Sequence, residues 1–187
     1  MRHTSTDSVP WVWGHVGDTL PPSPSPSRDV HLVRAVRVAA PAAVVFGWLA
    51  QLRAAPYSYD LVDNLGRSSP DAMTRTEPVE LGQTFMKIFT LTAFEADRGL
   101  TLELTDAGAR RAFGPLTVVY RAVPLPPEAP EQTGPPACIL RCDLFLRRPR
   151  TVLERMRLII LAWGDLVMMR RQLLNLRRLS ERTASAR

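Results

Sequence analysis

Apolar and polar residues alternate along much of the chain, and near its end the spacing lengthens to three and four. In "VHLVRAVRV" (30–38), Val30, Leu32, Val36 and Val38 share one side of an extended strand. "LTLEL" (100–104) turns Leu100, Leu102 and Leu104 the same way. "ACILRCDLFLR" (137–147) sends Cys138, Leu140, Cys142, Leu144 and Leu146 to one face and Arg141, Asp143 and Arg147 to the other. "TFMKIFTLTAFE" (84–95) reads as a strand apolar on both sides, and "FGPLTVVYRAV" (113–123) as a strand bulged at Gly114-Pro115. Two stretches read as helices. Residues 41–53 open with Pro41 and place Val45, Trp48, Leu49 and Leu52 at helical spacing. The second starts at Thr151, whose hydroxyl and Glu154 form a capping-box pattern. Its apolar stripe is Val152, Leu153, Met156, Ile159, Ile160, Trp163, Leu166, Val167, Leu173 and Leu174. Thirty or so residues of helix span roughly 45 Å and need a large apolar surface to lie on.

Strands grouped together with helices at either end indicate an α+β class. An antiparallel sheet with one apolar face curls around a long helix, and the space between them is a cavity wherever side chains do not fill it. The expected organisation is an N-terminal arm with a Pro/Ser linker (1–29), one domain (30–183) and a short disordered tail (184–187). The arm holds Trp11 and Trp13, which are costly to leave in water, and then "PPSPSPS". Residues 124–136, "PLPPEAPEQTGPP", read as a loop.

Between the first helix and the strand at 84 lies "PYSYDLVDNLGRSSP" (56–70). Asp60 fits the N-cap of a short helix "LVDNL", and Asn64 with Gly66 fits its end. The same residues are compatible with chemistry. Asp60 and Asp63 are the candidate acid–base pair, and Tyr57 and Tyr59 are candidate donors to an oxyanion. Trp48 and Gln51 in the preceding helix, with Tyr57, Tyr59 and Asn64, are candidate ligand contacts, joined by Trp163 on the long helix, with Asp165 nearby in sequence. An aromatic wall with a few polar groups is what a small-molecule pocket offers.

Other chemistries find little support. His3, His15 and His31 are far in sequence from that stretch, and only His31, a strand-entry residue expected at the surface, is placed to serve a nucleophile. No His/Cys/acid cluster has metal-ligand spacing, so neither metal nor cofactor is expected. No glycine loop cradles phosphate, and no aromatic-and-basic interleaving suits single-stranded nucleic acid. On one strand, Cys138 and Cys142 would stand roughly 13 Å apart at about 3.3 Å per residue, beyond the ~7 Å limit for a disulfide. They read as buried free thiols.

Several stretches together resemble the helix-grip fold of the START-like superfamily, which includes polyketide cyclases and lipid-transfer proteins. "VRAVRVAAPAAVVFGWLAQL" resembles its first strand and helix. "YSYDLVDNLGRSSPD", "WGHVGDTL" and "DLVMMRRQLLNLRRLSE" are similar to the next segment, the N-terminal stretch and the last helix of an uncharacterised bacterial subgroup. The resemblance covers most of residues 11–182. It implies a curved antiparallel sheet wrapped around a long C-terminal helix, one or two small helices after the first strand, and a cavity. It implies no reaction. "FGPLTVVY" departs from the strand pattern of the family.

Charge adds a third line. The chain carries +6, yet residues 147–187 hold eleven arginines against Glu154, Asp165 and Glu181. Excess basicity at one end favours an anionic partner, or else marks a solvated helix face. No signal peptide is evident, and "LIILAWGDLVMM" (158–169) is too short to span a membrane. The expectation is therefore a cytoplasmic protein that binds a hydrophobic small molecule or lipid. The alternatives are a cyclase- or dehydratase-type enzyme, and an interaction module acting through the basic C-terminal helix. An exposed part of that helix is compatible with a homodimer.

Overall fold

The computed structural model describes residues 9–14, 29–57, 70–74, 77–126 and 136–186. The alternating segments build a seven-stranded sheet of order β1-β2-β7-β6-β5-β4-β3. The strands are β1 (Val12–Gly14), β2 (Asp29–Val38), β3 (Thr84–Phe85), β4 (Phe89–Glu95), β5 (Gly99–Leu104), β6 (Leu116–Pro124) and β7 (Cys138–Arg147). Every neighbouring pair is antiparallel except β1–β2. The helices are α1 (Ala42–Ala50), followed by a 3-10 turn (Gln51–Arg53), then α2 (Ala107–Phe113) and α3 (Val152–Ser185). The long C-terminal helix, the largely antiparallel sheet and a short helix after the long first strand give the α+β helix-grip arrangement that the residue pattern indicates. Residues 12–14 of the arm belong to this sheet.

The core lies between one sheet face and the helices. Leu32, Val38, Leu140, Leu102, Trp48 and Leu173 are all at most 1% exposed. Thr151 caps α3 as its sequence implies, with both halves of the capping box made. Cys138 and Cys142 are free and buried.

Three expectations need correction. The single strand at 84–95 is a hairpin, because Met86 and Lys87 turn the chain at φ 46° and 67°, and the Met86 amide is held by the Leu52 carbonyl at 3.0 Å. The strand placed at 113–123 begins at Leu116. Before it, Asp106 accepts a bond from the Ala109 amide (2.7 Å) and starts α2, which Gly114 ends at φ 78°. Cap residues at both ends of "DAGARRAFG" outweighed the extended pattern that follows.

The third correction concerns α3. Its buried side chains are Leu158, Ala162, Met169, Gln172, Leu173, Leu176, Leu179 and Ser180. Leu153, Met156, Ile160, Trp163 and Val167 face solvent, with Ile160 70% exposed. The first half of the helix therefore has apolar residues on two opposite sides, and periodicity alone picks out the outer one. The end of α3 is structural: Leu176 and Leu179 are in the core, the Glu181 carboxylate accepts from the Ala39 amide at 3.0 Å, and Arg177 pairs with Glu181. Removing residues 175–187 would therefore break the fold.

Candidate functional site

The position in β2 where alternation calls for an apolar residue, between Leu32 and Val36, holds Arg34. Strand register lines up Trp13, Arg34, Cys142, Tyr120 and Leu100 across five adjacent strands. The middle of this row meets α3. The Arg34 side chain is fully buried. Its Nε donates to Asp165 Oδ2 at 3.1 Å. Nη1 donates to the carbonyls of Pro10 (2.8 Å), Trp11 (3.2 Å) and Val33 (3.0 Å), and Nη2 to that of Ala162 (3.4 Å). A buried guanidinium with all its donors engaged satisfies the requirement on buried charge. Beside it, Arg170 lies over the Trp13 ring at 5.9 Å.

Two positions along, the Tyr120 hydroxyl donates to Gln172 Oε1 at 2.7 Å and touches Met169 Sδ at 3.8 Å. Gln172 Nε2 donates to the Pro56 carbonyl and touches Met86 Sδ at 3.5 Å. Burial pushes the Asp165 carboxyl up to about 6, and the Arg34 guanidinium only partly offsets this. Burial, with help from Cys142 and Asp165, raises Tyr120 well above its ordinary value. Cys142 is raised by burial first and by Asp165 and Asp143 next, and burial alone lifts Cys138 to about 12. Neither thiol is a nucleophile near neutral pH.

The other face of the sheet holds a second polar cluster. Arg141 grips Asp143 with Nε at 2.9 and 2.8 Å and Nη2 at 2.7 Å. His31 Nε2 lies 2.7 Å from the same carboxylate, and the imidazole stacks on Phe145 at 4.6 Å. His31 is thus a paired, partly buried residue, and Arg141 and Asp143 are buried although they alternate away from the core. Among the described residues no group of three His, Cys, Asp or Glu side chains could hold a metal.

The candidate residues read from the sequence fall in different places. Tyr59, Asp60, Asp63 and Asn64 lie outside the described residues. Trp48 and Tyr57 meet each other and α3, and Gln51 is held elsewhere, at Thr74. The Trp48 indole donates to Thr183 Oγ1 at 3.0 Å and meets the Tyr57 ring edge-on at 6.0 Å. Gln51 Oε1 accepts from the Thr74 amide at 2.9 Å. Tyr57, with φ 54°, is held through its carbonyl by Asn175 Nδ2 at 2.9 Å. Trp163 is separate from these, on the outward side of α3 and 51% exposed. Arg34, Tyr120 and Gln172 were not singled out in the sequence. For Arg34 the signal was there, as a charge in phase with four aliphatic positions.

Two open cavities border this frame. One, about 370 Å³, lies along β4, β5 and β6 and is lined by Phe94, Arg98, Thr101, Val119 and Arg121 among others. The other, about 220 Å³, lies between α2 and the start of α3. No described helix is long and apolar enough to cross a membrane.

No protein-family model matches the chain, and no curated protein matches it in sequence. Among solved structures it is similar to norcoclaurine synthase from Thalictrum flavum, seen in complex with dopamine and hydroxybenzaldehyde. The identity is 16%, over 87% of this chain and 96% of that one, with a TM-score of 0.42. It is also similar to a protein of unknown function from Staphylococcus aureus, at 12% identity over 85% of this chain and 98% of that one, with a TM-score of 0.40. Likeness at this level carries no information about what the chain binds.

Proposed function

We propose that the chain binds a hydrophobic small molecule or lipid between the sheet and α3, using the Tyr120–Gln172 pair as its polar contact. The observation that carries this reading is the setting of that buried hydrogen bond: the thioethers of Met169 and Met86 border it. Methionine side chains are flexible and apolar, so they fill space that a ligand can take over at low cost. Trp48 and Tyr57 supply aromatic wall nearby, and Gln51 and Asn175 fix the backbone around it.

The test is to purify the protein gently, denature it and identify any released small molecule by mass spectrometry. A recurring apolar molecule that disappears in Met169→Trp, with the fold intact by circular dichroism, supports the reading. A molecule retained unchanged in both Met169→Trp and Tyr120→Phe defeats it.

A second reading is acid–base catalysis, favoured by the Asp165 carboxyl at about 6. Such a group is present in both protonation states near neutrality, as a general acid or base requires. Asp165→Asn should then abolish turnover of the released molecule without preventing its binding.

A further inference from the structure

Five outward residues of α3, at 153, 156, 160, 163 and 167, recur at steps of three and four. They are Leu153 (59% exposed), Met156 (56%), Ile160 (70%), Trp163 (51%) and Val167 (51%). This is an unbroken apolar line along about four turns of one rigid helix. Isolated exposed apolar residues are ordinary on protein surfaces; a continuous line of them marks an interaction surface.

The charges around the line select its partner. Arg157 borders it, Arg170 and Arg171 stand at its far end, and Arg148 and Arg150 precede the helix. The acids in the same span are committed elsewhere. Glu154 caps the helix by accepting from the Arg150 and Thr151 amides, and Asp165 faces inward to Arg34. The 220 Å³ groove beside the line is lined by Arg111, Arg147, Arg148 and Arg157, with Leu158 and Leu161 at its apolar side and Glu154 also present. Phe113, 50% exposed at the end of α2, adds a further apolar side chain at the groove.

We propose that this face docks on an anionic phospholipid bilayer, with the apolar line entering the interface and the arginine-lined groove receiving lipid phosphate. An apolar stripe bordered by arginines, with a tryptophan among its members, is the composition that lies in a membrane interface. A second copy of the chain is disfavoured, because pairing two such faces would bring arginines against arginines. The inference does not rest on the ligand reading above. It also differs in place from the end of α3, whose Leu176 and Leu179 are core.

The experiment is co-sedimentation of the full chain with vesicles of phosphatidylcholine alone and of phosphatidylcholine mixed equally with phosphatidylglycerol. Tryptophan emission is followed in parallel. The wild type should sediment with the anionic vesicles only and show a blue shift that Trp163→Phe removes. Added salt should weaken the binding. Replacing Arg111 or Arg157 by Ser should weaken binding by roughly fivefold each, the effect of about 1 kcal/mol per arginine near such a surface. Ile160→Asp combined with Val167→Asp should reduce it by about tenfold or more. Both positions are solvent-exposed, so thermal unfolding of that variant serves as the control for an intact fold. Failure to sediment with anionic vesicles overturns the proposal. So does binding that the Ile160/Val167 variant leaves unchanged, or a wild-type dimer in sedimentation equilibrium that this variant dissociates.

Discussion

Residues 152–167 of α3 carry most of their large apolar side chains outward, while residues 168–185 carry most of theirs inward. In the first half, contact with the sheet is made by Leu158, Ala162 and the Asp165 carboxylate; in the second, Met169, Gln172, Leu173, Leu176 and Leu179 fill the interface. The helical geometry is the same in both halves, but the first is the more apolar, with eleven Val, Leu, Ile, Met, Trp or Ala residues in 152–167 against seven in 168–185. What stands opposite them differs as well. Against the first half stands Arg34, held by carbonyls and a carboxylate; against the second stand Tyr120 of the sheet and Trp48 of α1. The same face of the helix is inward in both halves, and the extra apolar residues of the first half lie on the opposite face, in solvent.

The sharpest way to break that arrangement is Arg34→Ala. It would leave Asp165 buried without its counter-ion, and removal of one partner of a buried pair costs about 3–5 kcal/mol. Urea unfolding should show this as a lower midpoint with an unchanged slope. Leu173→Ala or Leu176→Ala, in the inward half, should cost roughly 2–5 kcal/mol each through the cavity left behind.

A pH series sharpens the comparison at the junction of the halves. The folded-state value of Asp165, about 6, lies above its ordinary 3.8. The folded protein therefore holds this proton more tightly than the unfolded chain. The associated stability is fully present below about pH 3.8 and is lost as pH rises through 6. The difference amounts to roughly 3 kcal/mol at 1.36 kcal/mol per unit. Relative to Asp165→Asn, the wild type should lose about that much between acid and neutral pH, as read from urea midpoints. Tyr120→Phe leaves Gln172 Oε1 without its donor and should cost about 1–3 kcal/mol. The smallest effect belongs to the outward half. Ile160→Ala should change stability by no more than about 0.5 kcal/mol, and a loss comparable to that of Leu173→Ala would mean that the outer line is packed in solution.

The strands, the capping of α3 and the order of elements were legible because each rests on local chemistry: alternation, a hydroxyl three residues before a glutamate, a proline at a helix start. The hairpin at Met86-Lys87 was not, since it depends on two non-glycine residues in left-handed conformation, held in place by Leu52. α2 was legible in principle from Asp106 and Gly114, but a strand pattern overlapping its end concealed it. The inward face of α3 was hidden for a different reason. Leu158, Ala162 and Met169 form a thinner stripe than the outer one, and only their continuity with the buried Leu173, Leu176 and Leu179 distinguishes them. Of the residues picked out in the sequence, Trp48 and Tyr57 touch, while Tyr120 and Gln172 gain meaning only from the pairing of β6 with α3. No single segment carries that information.

The pairing of β2 with β7 has a consequence for how the chain is made. Val38 is matched to Cys138 and Asp29 to Arg147, so β2 leaves the ribosome long before its main partner exists. Upstream, β1 covers only Val33 to Ala35, and the Arg34 guanidinium waits for Asp165. Until the last third of the chain has been synthesised, an aliphatic strand with a misplaced charge stands with an open edge, the kind of surface on which nascent chains pair wrongly. Arg34 keeps the core-facing side of that strand from being uniformly apolar during the wait. Completion of the first long strand is thereby tied to arrival of the final helix.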